Sequence, residues 1–353
     1  MEDTKTGKIS DEDFKSQIFP YCGATRTEVR VGPSFGTDIS IIDLPNGYEM
    51  ALTSDPLSYI PNLGLEESAW LSVHLMANDM ATTGIAPQYA QFVLNLPSYV
   101  SAHDFEVYWQ YIHSFCQQIG VAITGGHTGR FQGLDSTIAG GGTMIATAPK
   151  GQMLCSQWAQ SGQDIVVTKQ AALVATSILA RSFPNTVKNL CGHEVYQEAS
   201  ALFYQTSSLS EALIAAHFNQ HTPKAITAMH DVTEGGILGA IYEMALASGC
   251  GALVEKDSLP LGTIPQRVCG VFNIDPAYCV GAGSMIMAVA PNSTAALLKT
   301  LEENHIAATC VGRFVAPSEG VRIQSAQGSH NIIPPDTDPY WAAFFNALKQ
   351  GLT

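Results

Sequence analysis

The chain has 353 residues, a formal net charge of −14, 46% hydrophobic residues and only 14% charged residues. That balance excludes an intrinsically disordered chain, which is poor in apolar residues and rich in charge. The acid excess argues against a broad nucleic-acid surface, because phosphate binding needs clustered Lys and Arg. Any phosphate must therefore be held locally, by backbone N–H groups, a metal or a few basic side chains.

The length predicts two domains, each large enough for its own core. No segment reads as a membrane span, and the polar start Met1-Glu2-Asp3-Thr4-Lys5 is not expected to be a signal peptide. Eight cysteines (22, 116, 155, 191, 250, 269, 279, 310) are scattered without a CxxC pair. The expectation is reduced thiols in a cytoplasmic protein and no zinc site.

The first 18 or so residues are charged and read as a mobile segment. Residues 37–42 read as a strand, Pro45-Asn46-Gly47 as a turn and residues 48–53 as the return strand, since Asn-Gly is the preferred hairpin pair. Residues 67–84 read as a helix, with Trp70, Val73, His74, Ala77, Met80 and Ala81 at three- and four-residue steps. Strands are expected at 88–96, 121–124 and 143–148, with a second amphipathic helix at 102–118. The boundary between domains is placed near 149–162. Beyond it come a strand at 164–168, helices around 171–181 and 195–217, and a strand at 225–229. A helix to about Ser248, a strand at 284–289, a helix at 293–304 and a strand at 307–314 complete the pattern.

Five clusters carry possible chemistry. Gly36-Thr37-Asp38 opens the hairpin and Thr53-Ser54-Asp55 closes it. Asn78-Asp79 sits in an otherwise apolar helix, where an Asp is costly unless bonded or liganded. Gly125-Gly126-His127-Thr128 follows a short strand, where glycine N–H groups can approach an anion. Two carboxylates and an Asn make a hard-oxygen set of the kind magnesium accepts, commonly shared with nucleotide phosphates. The fifth cluster, His230-Asp231-Val232-Thr233-Glu234-Gly235-Gly236, joins a strand to a helix. Thr233 is the expected cap, and the helix N-terminus favours phosphate.

Met229-His230-Asp231-Val232-Thr233-Glu234-Gly235-Gly236 resembles the second-domain signature of the PurM-like superfamily. That superfamily holds AIR synthetase, HypE, selenophosphate synthetase and thiamine-monophosphate kinase. The other clusters fall in the order the superfamily shows, from the acidic strands through Ala77–Pro87 to the Gly-Gly-x-Thr loop, with Lys169 after the first strand of the second domain. The resemblance covers about residues 20–320, and the best match is the AIR synthetase-related, HypE-like group.

The resemblance implies a two-domain α/β (α+β) fold. Residues 1–35 would be a flexible N-terminal segment and 36–155 an ATP-binding domain. Residues 156–330 would form the C-terminal α/β domain and 331–353 a tail. A four-stranded N-terminal sheet would pair with a second copy's sheet into a dimeric barrel. It also implies ATP and Mg²⁺ as cofactors, with Asp38, Asp55 and Asp79 holding the metal. Asn78, Gly125, Gly126, His127 and Thr128 would join those three in binding the nucleotide, and Asp231 and Glu234 would be catalytic on the substrate side. Arg26, Arg30 and the stretch from Val31 to Gly36 would form a segment closing over the triphosphate.

Three departures narrow the match. The chain shows no cysteine after Cys310, so the C-terminal cysteine chemistry of HypE proper is not expected. Cys22 is followed by Gly23-Ala24-Thr25-Arg26 rather than Lys, unlike the reactive residue of selenophosphate synthetase. His127 stands where AIR synthetase proper has Glu. The function expected is ATP-dependent phosphorylation or activation of an oxygen of a small substrate, or cyclo-ligase- or dehydratase-like chemistry. The alternatives are a nucleotide-binding accessory or maturation factor acting with a protein partner, and a dimeric scaffold without chemistry.

Overall fold

A computed structural model describes residues 7–57, 59–132 and 139–353. The chain divides into two compact units. One comprises residues 27–32 and 38–153. The other comprises 154–353 together with residues 7–26 and 33–37.

The N-terminal unit is a six-stranded sheet covered on one face by two helices. Its strands are β1 (Val29–Val31), β2 (Ser40–Leu44), β3 (Tyr48–Pro56), β4 (Tyr89–Pro97), β5 (Ala122–Phe131) and β6 (Ala139–Pro149), in the spatial order β1-β2-β3-β6-β4-β5. The sheet is two strands wider than the four that the resemblance implies: the strand expected at 121–124 extends into β5 at one edge, and β1, which was not expected, adds to the other. The β2–β3 hairpin is as the Asn-Gly pair predicts. Asn46 and Gly47 both take positive φ, 66° and 76°, the geometry whose twist matches the flanking strands. β4 and β5 are parallel and joined through the helix Ala102–Gln118, as a parallel pair requires. That helix starts on a capping box between Ser101 and Asp104. It lies beside the helix Leu65–Ala81, and Met76, Met80 and Ile112 join Ile41, Ala51, Phe92, Leu94 and Met144 in the core.

The other face of this sheet carries Ile42, Met50, Leu52, Ile145, Tyr89 and Val93, none of them buried. Tyr89 and Val93 are 44% and 42% exposed. Beneath the covered face, Glu49 is fully buried. Its carboxylate accepts from the Arg30 guanidinium and from the backbone N–H groups of Gln152 and Met153 at 3.1 and 2.8 Å.

The C-terminal unit holds a seven-stranded sheet. Its strands are β7 (Asp164–Thr168), β8 (Ile226–Asp231), β9 (Gly251–Glu255), β10 (Met285–Val289), β11 (Ala308–Val315), β12 (Val321–Ser325) and β13 (Gly328–Asn331), in the order β13-β12-β9-β11-β7-β10-β8. β7 and β10 are buried at every residue, the pattern of strands covered on both faces.

The single helix expected over 195–217 is two helices, His193–Ala201 and Leu209–His221, separated by a 3₁₀ turn. The break has a structural use. Lys169 bonds the carbonyls of Gln205 and Ser207, exposed by the break, and that of Gly283, at 2.6–3.0 Å, and pairs with buried Glu211 at 2.9 Å. The expected tail contains a further helix, Pro339–Lys349, capped by Asp338 with Pro at its first turn. Among the described residues, no helix is long and apolar enough to cross a membrane. All eight cysteines are free thiols.

Candidate active site

In the N-terminal unit the acidic clusters gather at one end of the sheet. The register of β2 on β3 sets Ser40 opposite Leu52. Asp38 therefore lies just beyond the ladder, at the end of β3 that carries Thr53 and Asp55. The helix Leu65–Ala81 brings Asp79 to the same end, where the Thr53 hydroxyl donates to Asp79 Oδ2 at 2.8 Å. Asn78, beside it, is fully buried, whereas Asp79 is half-buried. Among the described residues, Asp38, Asp55 and Asp79 do not by themselves place three ligand atoms within 4.8 Å of one another. Such a spread set suits an ion that keeps waters and shares ligands with phosphates better than a closed cage does.

The Gly-Gly-His-Thr segment departs from expectation. The sequence pattern places it after a four-residue strand, but Gly125, Gly126, His127 and Thr128 all lie inside the ten-residue β5. Pairing with β4 extends the strand through a register shift between Ala90 and Gln91. Gly126 takes φ +142°, and a Cβ there would stand 1.9 Å from the Phe92 carbonyl oxygen. The glycine thus serves close backbone approach within the sheet. Asp55 pairs with Gly142, Gly142 with Phe92, and Phe92 with Gly126, in one row across four strands. Asp55 and Gly126 are therefore separated by three strand spacings, about 14 Å. The two residues therefore do not share one compact site. All four residues of the segment are exposed.

In the C-terminal unit, Asp231 ends β8 opposite Met285 and is 1% exposed. Gly235 and Gly236, at φ +81° and +65°, turn the chain into the helix Gly236–Ser248. Thr233 does not cap that helix through its side chain. Its carbonyl instead accepts from the N–H groups of Gly236 and Gly281, each at 3.2 Å. The N–H of Gly235 donates to Asp338 Oδ2 at 2.7 Å, so a carboxylate from the C-terminal segment supports the turn. Burial pushes the Asp338 carboxyl up to about 6, against the pull of those backbone N–H groups.

Glu234 is held on both oxygens. Trp341 Nε1 donates to Oε1 at 3.1 Å, and the N–H of Lys8 donates to Oε2 at 2.9 Å. About two turns into the helix, Glu243 lies against His230, with Nε2 and Oε2 3.3 Å apart, and receives the Lys8 ammonium at 2.9 and 3.0 Å. Burial alone would raise the Glu243 carboxyl, but Lys8 and His230 outweigh it and bring it down to about 2.

Arg30 is engaged differently from expectation. It is taken up by Glu49 and Asp43 inside the N-terminal unit, so it braces that sheet rather than a mobile cover. Cys22 is exposed, with its thiol donating to the carbonyls of Ile18 and Phe19. Lys8, Glu243, Asp338 and Trp341 carry no assignment in the sequence pattern. For Asp338 a signal existed, since Asp-Pro before an apolar run is a helix start. For Lys8 and Trp341, partners more than a hundred residues away leave no local mark.

The N-terminal unit thus carries an acidic strand end, and the C-terminal unit a strand–glycine–helix turn with acidic residues, within an α/β fold. The AIR synthase related protein N-terminal domain matches residues 36–148, and its C-terminal domain matches residues 160–324. The chain belongs to the AIR synthase related family, within the PurM-like superfamily. It is 24% identical over 295 residues to carbamoyl dehydratase HypE of Rhizobium leguminosarum, covering 80% of this chain and 77% of that protein. It is 25% identical over 300 residues to thiamine-monophosphate kinase of Haemophilus influenzae, covering 80% and 82%. The fold matches the crystal structure of the hydrogenase maturation protein HypE in complex with ATP. The TM-score is 0.65 at 17% identity, over 95% of this chain and 98% of that one. Its named relatives, a dehydratase and a kinase, are enzymes.

Proposed function

We propose that this chain is an ATP- and Mg²⁺-dependent enzyme that phosphorylates or otherwise activates an oxygen of a small substrate, acting as a homodimer. The observation that carries it is the convergence of Asp38, Asp55 and Asp79 on one end of the N-terminal sheet, with Thr53 orienting Asp79. The ATP complex of the structurally similar HypE supports the nucleotide assignment.

The donor set fits magnesium, because it offers oxygens from several elements and leaves room for waters and phosphate. Asp38, Asp55 and Asp79 would hold the ion and Asn78 would support them. Gly125, Gly126, His127 and Thr128 would line the far end of the nucleotide groove. When bound, the ion would neutralise phosphate charge, and catalysis would rest on that and on positioning rather than on a protein nucleophile. Asp231 and Glu234 would face the substrate, Asp231 buried and Glu234 oriented by two donors. The bare apolar face of the N-terminal sheet supports the dimer, since such a face marks an interaction surface.

The test is calorimetric titration with a non-hydrolysable ATP analogue, with and without Mg²⁺. Mg-dependent binding that Asp79→Asn removes supports the proposal. No binding by the folded protein, or unchanged affinity in Asp79→Asn, overturns it. Asp231→Asn is expected to keep nucleotide binding and to lose turnover.

A further inference from the structure

Residues 8–12 form part of the wall of a pocket in their own unit. An open cavity of about 360 Å³ is lined by Lys8, Phe35, Glu234, Tyr242, Glu243 and Asp338, among others. Lys8 supplies the one positive charge among its lining residues. Its ammonium contacts both oxygens of Glu243, whose side chain is 10% exposed, and lies 5.7 Å from the centre of the Phe35 ring. Its backbone N–H is on Glu234. A nearly dry carboxylate, an aromatic face and a second carboxylate together form the environment that selects an ammonium group. An ammonium is what sits there.

The segment carrying that ammonium is lightly held. The helical turns between Asp11 and Tyr21 contain no buried residue, and Lys8 itself is 42% exposed. With little apolar surface to bury, the segment depends on its polar latch, and such regions open at low free-energy cost. The cage is rigid by contrast. Glu243 projects from a buried helix face and is backed by fully buried His230. When the segment lifts, Glu243 is left needing a cation.

We infer that residues 7–12 are a displaceable plug, that the Lys8 ammonium occupies the cation subsite of this pocket, and that the pocket's ligand is a small molecule bearing a primary ammonium group. The ligand's ammonium replaces that of Lys8 on Glu243 and Phe35, and its remainder lies beside Glu234. That this ligand is the second substrate rests on the proposed function; the plug itself does not.

The experiment uses the full chain without nucleotide. Amide hydrogen exchange of residues 8–13 is followed while n-butylammonium chloride is added, with sodium chloride at equal ionic strength as the control. The amine is expected to accelerate exchange there several-fold, and sodium is not. In Lys8→Met the segment exchanges fast from the start. Removal of the internal competitor then tightens n-butylammonium binding about tenfold, as expected if the plug is closed about nine-tenths of the time. Equal effects of amine and sodium, or equal amine affinity in Lys8→Met and the unsubstituted chain, overturn the inference. Lys8→Arg, which keeps a cation, checks that the gain comes from charge removal. Because nucleotide is absent, these outcomes stand apart from success or failure of the ATP titration.

Discussion

The indole N–H of Trp341 donates to Oε1 of Glu234 at 3.1 Å, across 107 residues of chain. This bond ties the C-terminal helix to the turn that carries the paired acids. Trp341→Phe keeps an aromatic ring beside Phe345 while removing the indole N–H. A hydrogen bond to a charged group contributes about 1.5–3 kcal/mol when buried, and less at this half-buried site. The expected outcome is a stability loss of about 1 kcal/mol in urea, unchanged nucleotide affinity and about tenfold lower turnover. Unchanged turnover would show that Glu234 needs no orientation.

Asp338 gives a pH prediction. Its carboxyl titrates near 6 in the folded chain, above its ordinary value of 3.8, because it is buried. A folded value above the unfolded one means that the folded state binds the proton more tightly. The group's contribution to stability is therefore fully present below about pH 4 and lost as pH rises through about 6, on the order of 2–3 kcal/mol. Chemical denaturation across pH 4–7 should show this fall, and Asp338→Asn should flatten it. An identical pH slope in the variant would refute it.

Arg30 and Glu49 give a stability prediction. Arg30→Met leaves the Glu49 carboxylate buried with only two backbone donors. Removing one partner of a buried pair costs about 3–5 kcal/mol. The denaturation midpoint should fall accordingly, and adding Glu49→Gln to that variant should recover part of the loss. A midpoint within experimental scatter of the unsubstituted protein would mean that water reaches Glu49.

The bare sheet face gives a prediction of assembly. Ile145 lies opposite both Leu52 and Tyr89 on that face. Sedimentation should find a dimer for the unsubstituted chain and a monomer for Ile145→Glu, since an unpaired charge at an apolar interface is costly. A monomer in both would remove the dimer from the proposed function.

The sequence by itself determined what local spacing encodes. The Asn46-Gly47 turn, the helix 102–118 and the strand 164–168 follow from φ preferences and periodicity within a few residues. Asn78-Asp79 was also visible as a polar pair that an apolar helix tolerates only when bonded. Tertiary structure decided what those residues do. Gly125–Thr128 read as a strand-end loop because glycines break local patterns, yet pairing with β4 draws them into β5. The helix over 195–217 is interrupted by a 3₁₀ turn, where Lys169 bonds the carbonyls of Gln205 and Ser207. Glu234 gained its donors from Trp341 and Lys8, 107 and 226 residues away. Such contacts depend on where the fold returns the chain, and no short window of sequence carries that information.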